Sequence, residues 1–146
     1  MASTHKRLCR LVLVFTMTAI MLGVLAAAAY ADTWWSYWND WGTYSNRAAV
    51  TIYDAGGVNG ATQLYHTSYN VQGCKLHAKL YGTESEVVLK NTGWVGGYST
   101  TNSEGKITLF TDKYYSYAYH CFGWGNTYAP NYGYWQTHQS PKHTYP

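Results

Sequence analysis

The most regular hydrophobic pattern of the chain lies between Cys74 and Tyr81, where apolar and polar positions alternate. The apolar set is Cys74, Leu76, Ala78 and Leu80, and the polar set is Lys75, His77 and Lys79. A period of two predicts an antiparallel strand with one face on a core and one face in water.

Similar alternation recurs along the chain and predicts further strands. The candidates are Ala48–Tyr53, Thr62–Tyr69, Glu86–Lys90, Lys106–Thr111, Tyr114–Phe122 and Tyr132–Thr137. Glycine- and asparagine-rich stretches at 56–60, 91–93 and 102–105 separate several of them and are typical of hairpin turns. The sequence therefore predicts an all-β fold, a small antiparallel β-sandwich or barrel.

Residues 32–46 differ from this pattern, because four tryptophans fall within eight positions. With a helical period, one side of this segment would be aromatic, formed by Trp34, Tyr37, Trp38, Trp41 and Tyr44. We expect a short amphipathic helix here that docks through its aromatic stripe, and an irregular aromatic arm is the alternative.

Residues 1–31 have the three parts of a secretory signal peptide. A basic head is followed by the apolar run Leu11–Ala29, and Ala29-Tyr30-Ala31 fits a signal-peptidase site. We expect cleavage after Ala31 and export to the extracellular space; an uncleaved membrane anchor is the alternative. The net charge of +3 then belongs to the leader, and the remaining chain has equal numbers of acids and bases. Nucleic acid is not an expected partner of such a neutral chain.

The chain is therefore divided into four parts. They are the signal peptide 1–31, the aromatic segment 32–46, an antiparallel β domain 47–137, and a polar tail 138–146 that we expect to be mobile. The sequence does not indicate an oligomeric state.

Two cysteines follow the predicted cleavage point, Cys74 and Cys121. In an exported protein the simplest prediction is a disulfide between them, which would join two strands across the core. Free buried thiols or an intermolecular bridge are the alternatives.

The most unusual feature of the composition is its aromatic content, with 16 tyrosines and 7 tryptophans in 146 residues. Most of these rings are expected to form the core, but so small a domain cannot easily bury all of them. Exposed rings with neighbouring amides or hydroxyls can stack on sugar rings at a low cost in side-chain entropy. The candidate ligand contacts are Trp34, Trp35, Trp38, Trp41, Trp94, Trp124 and Trp135.

These patterns favour a secreted, non-catalytic protein that binds a glycan or another cell-surface component through aromatic rings. A membrane-active, bacteriocin-like antagonist is the first alternative. Residues 32–46 contain no Lys or Arg, however, whereas segments that bind anionic lipid are typically rich in them. A small extracellular hydrolase is the second, since Glu84 and Glu86 are candidate acids but no nucleophile motif is present. The histidines form no zinc pattern, and neither a metal nor another cofactor is expected.

Overall fold

The fold consists of two antiparallel β-sheets of five strands each, packed face to face. The computed structural model describes residues 31–54, 56–83, 86–115 and 120–144. Their strands are β1 (Ala31–Trp35), β2 (Asn39–Trp41), β3 (Tyr44–Tyr53), β4 (Val58–His66), β5 (Lys75–Gly82), β6 (Val88–Asn91), β7 (Lys106–Phe110), β8 (His120–Ala129), β9 (Gly133–Gln136) and β10 (His143–Thr144). The predicted all-β class is confirmed, as a pair of packed sheets.

The first sheet has the order β1-β3-β4-β7, and β2 pairs with the same long strand β3. The second sheet has the order β10-β8-β5-β6, and β9 pairs with β8. Each sheet thus has one ten-residue strand, β3 or β8, whose edge carries two short strands.

The prediction of a helix over residues 32–46 is wrong. The described part of the chain contains no helix, and residues 31–35 and 39–41 pair with β3 as β1 and β2. Trp34 and Trp35 therefore point to opposite faces of the first sheet, as neighbouring strand residues must. Aromatic side chains are common in strands, whereas a short isolated helix is only marginally stable. Residues 31–35 and 39–41 therefore pair with β3 as strands.

The predicted disulfide is also absent, since Cys74 and Cys121 are both free and buried. They lie in the same sheet, where Cys121 is opposite Gly82 and Cys74 precedes the other end of β5. Eight residues of extended strand span about 26 Å, whereas a disulfide needs Cα atoms about 6 Å apart. The alternation correctly predicted that both side chains point into the core, but it does not give the positions of the two cysteines along the sheet.

The core is divided into two clusters of buried side chains. One contains Trp41, Leu64 and Leu76, and the other contains Val50, Val58 and Leu80. Between them the sheets approach closely at glycines: a Cβ on Gly123 would collide with the Ala49 carbonyl, and one on Gly125 with the Thr62 hydroxyl. The smallest residue is therefore required where the two backbones nearly touch.

Hydrogen bonds also join the two sheets. The buried Asn46 side chain donates to the Thr127 hydroxyl at 2.6 Å, and the Thr62 hydroxyl donates to the His77 carbonyl at 3.1 Å. Each bond satisfies polar groups that burial would otherwise leave unpaired.

The last described residues lie against the second sheet. The Ser140 N–H donates to the Gly123 carbonyl at 2.9 Å, and β10 pairs with the start of β8. Residues 1–30 of the predicted signal peptide lie outside the described residues, and Ala31 is the first residue of β1. No helix in the described ranges is long and apolar enough to span a membrane.

Candidate functional site

Three of the seven candidate tryptophans face the interior. Trp41 is only 4% exposed and stacks on Trp135 with ring centroids 5.0 Å apart. Trp34 packs against the second core cluster and stacks on His143 at 3.8 Å. These rings hold the sandwich together and offer little surface to a ligand.

Trp35 and Trp38 lie on the outside of the first sheet, with Arg47 between them. The Arg47 guanidinium lies 4.2 Å from the Trp35 ring centroid and 4.3 Å from that of Trp38. Its Nε donates to the Gln63 side chain at 2.8 Å. Burial lowers the pKa of Arg47, and the charge of Glu104 opposes this shift. Both indole faces next to Arg47 are therefore already occupied by a cation.

Six rings of the described residues lie together on the outer face of the second sheet, two of them exposed and four half-buried. We call this group the aromatic face and define it by the residues Tyr81, Trp124, His77, Trp94, Tyr128 and Tyr134. It combines alternate residues of β5, β8 and β9 with one residue of the segment after β6. Two of the candidate tryptophans, Trp94 and Trp124, belong to it.

One end of the aromatic face is fixed by packing and by a hydrogen bond. Tyr81 lies flat against the fully buried Phe122, with centroids 5.2 Å apart and planes 9° apart. The Trp124 ring is 5.6 Å from Tyr81, and its N–H donates to the Thr137 carbonyl at 2.9 Å. That bond holds the half-buried indole in one orientation on the sheet.

The other end is built around Trp94, which is 44% exposed. Its ring is 5.4 Å from His77 and 5.3 Å from Tyr134, which in turn lies 4.9 Å from Tyr128. Trp94 is placed there by its neighbour Val95, because the Val95 N–H donates to the Leu76 carbonyl and the Leu76 N–H donates back, each at 2.8 Å. The chain after β6 thus continues along the edge of β5.

Polar side chains lie among these rings. By strand register, Lys79 is opposite Trp124, and Asn126 is opposite both His77 and Gln136. Burial lowers the pKa of His77, and the charge of Lys79 lowers it further, whereas a hydrogen bond to the Asn91 side chain raises it. Rings flanked by amides and an ammonium group form a surface that can stack on a ligand and also hydrogen-bond it.

A cleft of about 550 Å³ lies where the end of β1 meets the C-terminal segment. Its lining residues are Trp35, Ser36, Tyr37, Gln139, Ser140, Pro141 and Lys142. The Lys142 ammonium also lies 5.7 Å from the Phe122 ring, so the cleft adjoins the Tyr81 end of the aromatic face.

Most rings of the aromatic face were not among the sequence candidates. The list was restricted to tryptophan and therefore omitted Tyr81, Tyr128 and Tyr134. A signal was present, because the outward positions of β8 from residue 122 onward read Phe, Trp, Asn and Tyr at every second residue. Gly123 and Gly125 disguised that alternation, since glycine is uncommon in strands.

Other chemistry is sparse in the described residues. They contain no group of three or more His, Cys, Asp or Glu side chains placed to hold a metal ion. Glu86 lies in the connection between β5 and β6, and Glu84 lies outside the described residues.

Comparison of the chain with protein-family models gives no match, and comparison with curated proteins gives none either.

Proposed function

We propose that this protein is a secreted, non-catalytic binding protein whose aromatic face takes up a glycan. The observation that supports this most strongly is the juxtaposition of exposed Trp94 and Tyr134 with the amide side chains Asn126 and Gln136 on one sheet face. Indole and phenol rings cover the apolar side of a sugar, and amides pair with its hydroxyls.

The rigidity of the site also favours binding. The Trp124 ring is held by its hydrogen bond to Thr137, and the backbone next to Trp94 is held by the bridge between Val95 and Leu76. Rings that are already ordered lose little entropy when a ligand arrives, so more of the contact energy becomes affinity.

The test is binding of the chain that begins at Asp32 to a panel of neutral and charged polysaccharides, by calorimetry and tryptophan fluorescence. We expect Trp94→Ala and Tyr134→Ala each to weaken binding about tenfold, which corresponds to about 1.4 kcal/mol. Phe110→Ala is the matched control, because Phe110 is 49% exposed but lies on β7 of the first sheet. Equal losses in all three variants, or no binding to any polysaccharide, would contradict the proposal.

The membrane-active alternative receives less support from the geometry. Trp34 and Trp41 are packed inward, and Trp35 and Trp38 flank Arg47, so the tryptophan-rich run does not present one apolar side. Dye release from liposomes separates the two functions. A glycan-binding protein leaves the vesicles intact, whereas a membrane-active antagonist releases the dye.

A further inference from the structure

Charge is distributed unevenly between the two sheets. Of the described acids, Asp32, Asp40, Asp54, Glu104 and Asp112 lie on strands of the first sheet or in segments next to them. Among the described residues, the acid next to strands of the second sheet is Glu86, in the connection between β5 and β6. The outward positions of β5, β8 and β9 carry no acid, but they do carry Lys75 and Lys79. The aromatic face is therefore cationic although the chain after residue 31 is formally neutral.

These lysines lie beside the rings. The Lys75 ammonium is 5.9 Å from the Tyr128 centroid, and Lys142 lies near Phe122 at the opposite end of the face. Lys79 is between them, opposite Trp124. Lys75 and Lys79 are four residues apart on one strand, a separation of about 13 Å. Cations thus recur along the length of the aromatic face.

None of these three ammonium groups forms an ion pair within the described residues. The ion pair found there joins Lys106 to Glu104 at 2.8 Å, next to the first sheet. An ammonium group that is not paired with a carboxylate can bind an anionic ligand without first breaking an ion pair.

We propose that the ligand of the aromatic face is an anionic polysaccharide, in which sugar rings stack on the aromatic side chains and carboxylate or phosphate groups meet Lys75, Lys79 and Lys142. This inference rests on the proposed glycan-binding function and adds the charge of the ligand. A neutral glycan would leave the three ammonium groups unused, and a charged polymer without rings would leave Trp94 and Tyr134 unused.

The experiment compares matched pairs of polymers by calorimetry. One pair is polygalacturonate and its carboxyl-reduced form, and the other is a phosphomannan and its dephosphorylated form. We expect one charged member to bind at least tenfold more tightly than its neutral partner, and its affinity to fall as salt is raised. Which pair shows the difference identifies carboxylate or phosphate as the recognised group.

Variants then locate the effect. The double substitution Lys75→Ala with Lys79→Ala should weaken binding of that charged polymer about tenfold and leave binding of the neutral partner unchanged. Lys113→Ala is the control, because its ammonium also lies over a ring, 3.8 Å from the Tyr53 centroid, but next to the first sheet. Thermal unfolding of each variant checks that the fold is retained.

The outcomes separate the two proposals. Equal affinity for charged and neutral partners, lowered by Trp94→Ala, overturns the charge preference and keeps glycan binding. Charge-dependent binding that Trp94→Ala and Tyr134→Ala leave unchanged overturns both, because it is then ordinary ion attraction. No binding to any of the four polymers also overturns both.

Discussion

His66, at the end of β4, lies in surroundings that favour its neutral form. The Ser68 N–H donates to His66 Nδ1 at 3.0 Å, and the ring lies 4.3 Å from that of Tyr44. Burial lowers the pKa of His66 below its ordinary value of 6.5. A proton on Nδ1 would remove the acceptor that Ser68 needs.

The chain should therefore lose stability in mild acid. Because the folded pKa is lower than the unfolded one, the unfolded chain binds more protons, and stability falls as the pH drops below about 6.5. Burial lowers the pKa of His77 as well, which adds an effect of the same sign. We expect the denaturation midpoint to fall between pH 7.5 and pH 5, and His66→Gln to reduce that slope. His138→Gln, at an exposed residue, is the control; an unchanged slope in His66→Gln would contradict the role of His66.

At the scale of elements, strand β8 is shaped by its two inward-facing glycines. Gly123 and Gly125 let β8 approach β3 and β4 so closely that no side chain fits between them. This contact separates the two core clusters.

Gly123→Ala should destabilise the protein strongly, because the new methyl group meets the backbone of Ala49, which cannot move aside independently. We expect the free energy of unfolding to fall by about 3 kcal/mol in urea titrations. Gly96→Ala is the matched control, since a Cβ there meets mainly the flexible Lys75 side chain at 3.2 Å. A loss at Gly123 no larger than that at Gly96 would show that the sheets can separate slightly without cost.

Strands β5 and β8 show how much of the fold the sequence predicts. The alternation around Leu76 predicted β5 and its buried face correctly, because burial follows the period of a strand. Residues 116–119 of the predicted strand Tyr114–Phe122 lie outside the described residues, and residues 120–122 begin β8. The continuation of β8 to Ala129 was not predicted, because Gly123 and Gly125 are required by contacts with the other sheet. Such contacts depend on tertiary register, which local pattern does not contain.

The candidate site also depends on tertiary register that the local sequence pattern does not contain. Trp94 and Trp124 could be nominated from composition, but Trp94 meets Tyr134 only through the pairing of β5, β8 and β9. The four tryptophans of residues 32–46 were all candidate ligand contacts. They are divided between the core and the outer surface because successive strand residues point to opposite faces.

At the scale of the whole molecule, no disulfide joins the two described cysteines. Both thiols are buried, and burial raises their pKa, that of Cys121 to about 11. Since the thiolate is the reactive form, neither should oxidise readily in the native state.

Thiol titration tests this arrangement on the chain that begins at Asp32. We expect no rapidly reacting thiol in the native protein and two after unfolding in guanidinium chloride, with Tm unchanged by dithiothreitol. Cys121→Ser should lower Tm by placing a hydroxyl in an apolar cluster, whether or not a reductant is present. A Tm that falls on reduction would instead reveal a covalent cross-link.

The stacking of Trp34 on His143 brings the first and last strands of the sandwich to one corner. In a chain that begins at Asp32, a few added residues could therefore close the polypeptide into a ring there, and new termini could be opened in the exposed stretch at 99–100, between β6 and β7. The order in which the strands are synthesised could then be changed while the pairing of the sheets is kept.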